Sequence, residues 1–321
     1  MMPADLIYFT DDRPGILRQR RGRGFSYIAP DGTTIARGAE RARLEALAVP
    51  PAYEDVWMCP VDNGHLQATG RDARARKQYR YHPEWAAAQA ETKFAGLVDF
   101  GHALPRIRRR VQRDLKGEVG ERDFALASAV ALIDRTAMRV GNVGYARENC
   151  SYGALTLRNR HVRLEGDTIR LKYKAKAGKM VRRQMNDKTL ARILHRIADL
   201  PGAEVLSWTG EDGTPCTLSS NALNAYIVDA AGQEGITAKT FRTWTGTLAA
   251  FGVAEKGAST IKAMSEAAAE RLGNTPTIAR NSYIHPEVIG LAGTEELDID
   301  NTAPSGLLAT EGRMLSFLED L

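Results

Sequence analysis

The chain has 321 residues and is 43% hydrophobic and 26% charged. Those proportions exclude a largely disordered or fibrous protein, and at roughly 150 residues per domain they predict about two domains. Lysine plus arginine is 44 against 39 acids. From Glu287 onward, however, eight acids face the single base Arg313, which leaves 43 bases against 31 acids in residues 1–286.

The basic excess is clustered. Arg71, Arg74, Arg76, Lys77 and Arg80 face only Asp72. Residues 106–116 hold six bases against Asp114, and residues 170–183 hold seven bases and no acid. Three basic patches favour a polyanion, such as nucleic acid, over solvated surface alone. No run of about 18 apolar residues occurs, so no membrane-spanning helix is expected. The start, Met1-Met2-Pro3, lacks the features of a secretory signal. The three scattered cysteines, Cys59, Cys150 and Cys216, imply neither a disulfide framework nor a Cys-x-x-Cys site, and a cytoplasmic protein is expected.

In chain order, Phe25–Ile28 and Thr33–Ala36 flank Pro30-Asp31-Gly32, which predicts a hairpin. A short helix is predicted over Ala39–Leu47, with strands at Asp55–Cys59, His65–Thr69 and Lys77–His82. From Glu84 the chain reads as helical, with Gly101 and Pro105 as interruptions. A helix carrying Leu126, Val130, Ile133, Ala137 and Val140 on one face should end at Gly141. Residues 160–185 alternate, with Ile169, Leu171 and Tyr173 between Arg170, Lys172 and Lys174. That alternation predicts a three-stranded antiparallel sheet. Helices are predicted at about 187–199, 219–231, 237–251 and 259–272. Phe241, Trp244, Leu248 and Phe251 form the apolar face of the third. The expected architecture is α+β: a small β-rich N-terminal domain (residues 1–85) and a larger, mainly helical domain (86–321). An acidic tail from about residue 290 is read as solvated.

Several chemistries have no support. There is no G-x-x-x-x-G-K-[ST] loop, no G-x-S-x-G elbow, and no metal-ligand spacing among the six histidines. No cofactor and no metal are expected. Chemistry on a phosphodiester would then need arginines to stabilise the phosphate. Arg139 and Arg242 both lie beside apolar helix faces, where burial without a partner costs several kcal/mol. A guanidinium fork matches two phosphate oxygens; a structural ion pair would explain each equally well. Further on, Gly273 reads as a helix C-cap, Thr275 as an N-cap and Pro276 as the first helical residue, so Tyr283 lies near the end of a short helix.

The ordered set Arg139, Lys176, Arg242, Asn274 and Tyr283 resembles the catalytic pentad of type IB DNA topoisomerases, in their small poxvirus-like branch found in bacteria. The matching pieces are Met138-Arg139-Val140-Gly141-Asn142, a lysine near a hairpin turn, Lys239-Thr240-Phe241-Arg242, and Leu272-Gly273-Asn274 nine residues before the tyrosine. The stretch Gln67–His82 is similar to that family's DNA-contacting strand, and the resemblance covers about residues 20–286.

The resemblance implies that Tyr283 attacks the phosphodiester, forming a 3′-phosphotyrosyl bond and releasing a 5′-hydroxyl strand. Arg139, Arg242 and Asn274 would stabilise the transition state, and Lys176 would protonate the leaving oxygen. It implies DNA contacts from Arg71, Arg76, Lys77, Gln78, Tyr79, Tyr81, Tyr145 and Lys239. It also implies a monomer that clamps double-stranded DNA at the nucleoid and relaxes supercoils of both signs without ATP or metal. One position departs from the pattern: many relatives carry histidine where this chain has Asn274. An amide donates to an oxygen but carries no charge and shuttles no proton. A tyrosine recombinase shares the chemistry, but usually has histidine where Lys239 stands and has a helical N-terminal domain. A non-catalytic duplex-binding protein would need the basic patches and not Tyr283.

Overall fold

The computed structural model describes residues 5–198, 200, 204–300, 302 and 304–321, apart from the side chains at 90–93, 145, 149 and 177. The chain divides into two compact units, Met1–Lys93 and Phe94–Leu321. In the first unit, β1 (Ile16–Arg21), β2 (Gly24–Ile28), β3 (Glu54–Met58), β4 (Leu66–Arg71) and β5 (Lys77–Tyr81) form one antiparallel sheet, with α1 (Ala39–Ala46) between β2 and β3 in the chain. The spatial order is β2-β1-β3-β4-β5. Leu44 of α1 packs with Ile16, Tyr27, Val56, Met58 and Ala68.

The first hairpin differs from its sequence expectation. β2 pairs with β1 across Gly22, whose φ is 56°. The turn at Asp31-Gly32 exists, but it carries only the isolated bridge Ile28↔Thr34. β1 is hidden in the sequence because it reads Ile-Leu-Arg-Gln-Arg-Arg. Its Arg18 nonetheless serves the interior: the guanidinium lies 4.2 Å from the Phe25 ring and donates to the carbonyls of Val49, Pro50 and Tyr53. Its aliphatic stem does what an apolar residue would do.

The second unit contains most of α2 (Pro83–Asp114), which is continuous where interruptions were expected. The division between the two units falls inside this helix. Pro105 gives up one backbone bond, to the Gly101 carbonyl, without ending the helix. Gly101 is a packing glycine: a Cβ there would lie 2.7 Å from Leu315 and 2.9 Å from Trp244.

Next, α3 (Arg122–Thr136) ends earlier than the sequence suggests. Ala137 takes a left-handed conformation (φ 52°), and its N–H returns to the Ile133 carbonyl. Gly141 is therefore no cap. A Cβ on it would press on Gly153 and Thr156, so it permits a close crossing of backbones. α4 (Val143–Asn149) follows, then the antiparallel sheet β6 (Val162–Glu165), β7 (Thr168–Lys174) and β8 (Met180–Asn186). Its turns lie at Gly166 and Gly178, both with positive φ. Ile169, Leu171 and Tyr173 are buried and the alternating cations are exposed.

After α5 (Lys188–Ile197) come the small hairpin β9 (Ser207–Thr209) and β10 (Pro215–Thr217), then α6 (Ser220–Ala231), α7 (Ala238–Ala254), α8 (Ile261–Leu272), α9 (Pro276–Tyr283) and α10 (Pro286–Gly290). α5 to α8 lie within three residues of their predicted bounds.

The solvated tail is a further correction. α11 (Ala309–Glu319) buries Met314, Leu315 and Leu318 in the main core. Glu311, only 3% exposed, receives two hydrogen bonds from Arg108, which also pairs with Asp134 at 2.9 Å. One cation of the second basic patch is thus an internal tie. Among the described residues, no helix is long and apolar enough to cross a membrane.

Candidate active site

Arg139, Arg242, Asn274 and Tyr283 come from four separate segments of the second unit. Arg139 stands three residues beyond α3, outside any helix or strand rather than at a helix end. Arg242 is in the first turns of α7, and 4% exposed among apolar neighbours. Asn274 follows Gly273, which closes α8 in the left-handed conformation (φ 66°). Thr275 then caps α9, its hydroxyl accepting the Ile278 N–H at 3.3 Å, with Pro276 in the first turn. This cap-to-cap connection, legible in the sequence, leaves Asn274 buried and tightly fixed.

Asn274 is the hub. Its side-chain oxygen accepts from Arg139 at 2.5 Å and from Arg242 at 3.4 Å. With two guanidinium donors on the oxygen, the amide cannot turn over without facing donors to donors. Its NH2 group therefore points the other way. That NH2 is buried and has no hydrogen-bond partner among the described residues, and the same holds for Nε of Arg242. Two buried donors without acceptors, beside two guanidinium groups, make a ready site for an anion.

Tyr283 adjoins this site. The Arg242 guanidinium lies 4.9 Å from its ring centroid. Burial pushes the phenol up, but the charge of Arg242 beside it, with Arg139 and Lys239, outweighs burial and holds it below the ordinary tyrosine value. Burial lowers Arg242 from its usual range, and Arg139 adds to this. The tyrosine is seated by α7. A Cβ on Gly246 would lie 2.6 Å from the Tyr283 carbonyl oxygen and 2.9 Å from its Cβ. Beside it, the Thr247 hydroxyl donates to the Tyr283 carbonyl at 3.2 Å and accepts the His285 N–H at 3.1 Å. Neither Gly246 nor Thr247 was singled out from the sequence. The available signal was a glycine inside a strongly helical stretch.

Lys176 opens the turn Lys176–Gly178 between β7 and β8 and is exposed. Among the described residues it makes no hydrogen bond to the other four. Its turn is nevertheless tied to them, because Lys179 donates to the Asn274 carbonyl at 3.1 Å. Lys239 is exposed in the first turn of α7. The side chain of Tyr145 lies outside the described residues.

The remaining candidates belong to β4, β5 and their connection in the first unit. Tyr79 and Tyr81 are 50% and 46% exposed, and their rings stack at 6.1 Å. Arg76 and Gln78 are held by Asp72 (2.5 and 3.1 Å), Lys77 by Asp11 (2.5 Å), and Arg71 by Asp55 (3.3 Å) and the Ala75 carbonyl. The Arg76 hydrogen bond is the main cause that draws Asp72 down to about 2, with backbone N–H groups adding to it. Pairs this close to solvent hold their cations weakly.

A family model described as the N-terminal domain of bacterial DNA topoisomerase IB matches residues 24–72, and one described as the catalytic core of eukaryotic DNA topoisomerase I matches residues 82–281. The DNA topoisomerase 1B of Acanthamoeba polyphaga mimivirus is 30% identical over 234 residues, covering 72% of this chain and 69% of the viral protein. That of vaccinia virus (strain Copenhagen) is 26% identical over 127 residues, 39% of each chain. Among solved structures, the XerH site-specific recombinase bound to difH substrate is similar at a TM-score of 0.39 and 17% identity, over 59% of this chain and about half (51%) of that one.

Proposed function

This chain belongs to the type IB DNA topoisomerases, and from that premise we propose that it relaxes supercoiled duplex DNA by transient cleavage of one strand through Tyr283. The Tyr283 oxygen attacks a backbone phosphorus as the phenolate, its proton having passed to solvent. The new tyrosyl–phosphorus bond replaces the bond to the 5′ oxygen, which leaves as a hydroxyl after taking a proton from Lys176. Religation is the reverse attack, so the bond energy is stored and no ATP is consumed. Arg139, Arg242 and Asn274 hold the non-bridging oxygens, where negative charge builds in the transition state. The positive charges that hold the phosphate are supplied by the chain, without a metal. Tyr79 and Tyr81, with Arg71, Arg76, Lys77, Gln78, Tyr145 and Lys239, contact the duplex, and the chain works as a monomer.

The observation that supports this reading best is the pair of buried donors on Asn274 and Arg242 that have no acceptor among the described residues, set against a tyrosine held below its ordinary value by the neighbouring cations. A duplex labelled at the 5′ end of each strand tests it, because a 3′-phosphotyrosyl bond keeps the 5′-terminal fragment on the protein. Wild-type protein is expected to form a denaturation-resistant adduct with the scissile phosphate, and Tyr283→Phe none. An adduct that survives Tyr283→Phe would overturn the assignment of the nucleophile.

A further inference from the structure

Arg183 lies in the third basic patch, yet its guanidinium is turned inward. Two helices, α3 and α8, end side by side at the active site. The last carbonyls of a helix have no partner within it and form the negative end of its dipole. Here they are satisfied in consecutive pairs. Arg271 donates to the Arg135 carbonyl at 3.0 Å. Arg183, reaching from β8, donates to the Thr136 carbonyl and, at 2.6 Å, to the Arg271 carbonyl. Arg242, reaching from α7, donates to the Ala137 carbonyl and, at 3.3 Å, to the Leu272 carbonyl. The next link is the 2.5 Å bond between Arg139 and Asn274 themselves. Each of these two stands three residues beyond the carbonyl that Arg183 holds. The two helix ends are therefore laced together rung by rung, and the final rung is part of the active site.

We propose that Arg183 is a positioning residue for the cleavage reaction: by bridging the Thr136 and Arg271 carbonyls it sets the Arg139–Asn274 spacing without touching DNA. The inference rests on the reading of Arg139 and Asn274 as transition-state donors. It separates Arg183 from its neighbours Lys172, Lys174 and Arg182, whose exposed side chains are free to meet a phosphate. Burial and the adjacent Arg271 both disfavour the charge of Arg183. A packing role alone would be better met by an apolar side chain. What needs the charge is the pair of converging helix ends.

Single-turnover cleavage at saturating duplex separates this role from a structural one. The full-length variants are Arg183→Ala, Arg183→Lys, Asn274→Ala and the double variant Arg183→Ala/Asn274→Ala, and duplex affinity is measured in parallel. A displacement of roughly 1 Å at reacting groups costs about a hundredfold in rate, so Arg183→Ala is expected to cleave at least about tenfold more slowly. Its affinity for duplex should be unchanged. Arg183→Lys keeps the charge but cannot bridge both carbonyls, and should be slow as well. With Asn274 already removed, losing Arg183 should cost little more, because the two act through one rung.

A wild-type cleavage rate in Arg183→Ala would overturn the proposal. So would a loss in the double variant equal to the product of the two single losses, or a fall confined to affinity. If Arg183→Ala does not fold, Arg183→Gln, which keeps a donor for one carbonyl, takes its place in the same comparison. A wild-type protein that cleaves nothing would instead overturn the topoisomerase mechanism itself.

Discussion

Tyr283 titrates under the influence of cations that differ in their other duties. Arg242 and Arg139 also hold Asn274, so removing either changes more than charge. Lys239 is exposed and acts on Tyr283 only through its field. As pH falls through the Tyr283 value, the phenolate takes up a proton and cleavage slows. Removing a positive neighbour raises that value. Lys239→Ala is therefore expected to shift the rate–pH curve for single-turnover cleavage toward higher pH, while Lys239→Arg leaves it in place. An unshifted curve in Lys239→Ala would contradict the electrostatic account of the nucleophile. At this scale the sequence carried much of the site, because Arg139, Lys176, Arg242, Asn274 and Tyr283 stand in fixed order within short recognisable pieces. It could not show that the Asn274 oxygen receives both arginines, nor that Lys179 grips the Asn274 carbonyl. Those contacts join residues about 30 to 135 positions apart and leave no local pattern.

The element that decides where Tyr283 stands is α7, which presents Arg242 on one turn and a seat for Tyr283 on the next. Glycine within a helix costs roughly 0.5–1 kcal/mol relative to alanine, so Gly246→Ala should stabilise α7 taken alone. In the folded chain the added methyl would collide with Tyr283 and lift α9 from its seat. The expected outcome is slower adduct formation with no gain in thermal stability. A Gly246→Ala protein that is both more stable and fully active would show that the close approach has no consequence. Thr247→Val should lose two hydrogen bonds at the same seat, a cost of about 1–3 kcal/mol visible in the melting temperature. Elements with their own signature were legible. The Gly273, Thr275 and Pro276 caps are local chemistry, and β7 shows its buried face by alternation. Elements defined by distant partners were not. β1 hides its interior role behind arginines, α3 ends at an alanine rather than at the next glycine, and α11 looked like solvated acid because Glu311 has its cation about 200 residues away.

For the molecule as a whole, the acidic end of the chain is part of the catalytic unit's core. Burial pushes the Glu311 carboxyl up, but hydrogen bonds and charge from Arg108 outweigh it and hold the group below its usual value of 4.5. Its contribution to stability is therefore full above that value and is lost as pH falls through the lower, folded value. Glu311→Gln leaves Arg108 with Asp134 alone. It should cost roughly 3 kcal/mol at neutral pH and flatten the acid side of the stability curve. Acid unfolding as steep as in wild type would contradict this role. Duplex binding should weaken steeply with salt as phosphate contacts displace counterions. The most direct measurement of the central claim is relaxation of positively and negatively supercoiled plasmid in EDTA, without ATP, by wild type and by Tyr283→Phe. Relaxation of both substrates by wild type alone is the expected result. Plasmid that is bound but stays supercoiled with wild-type protein, or relaxation that persists in Tyr283→Phe, would contradict the account.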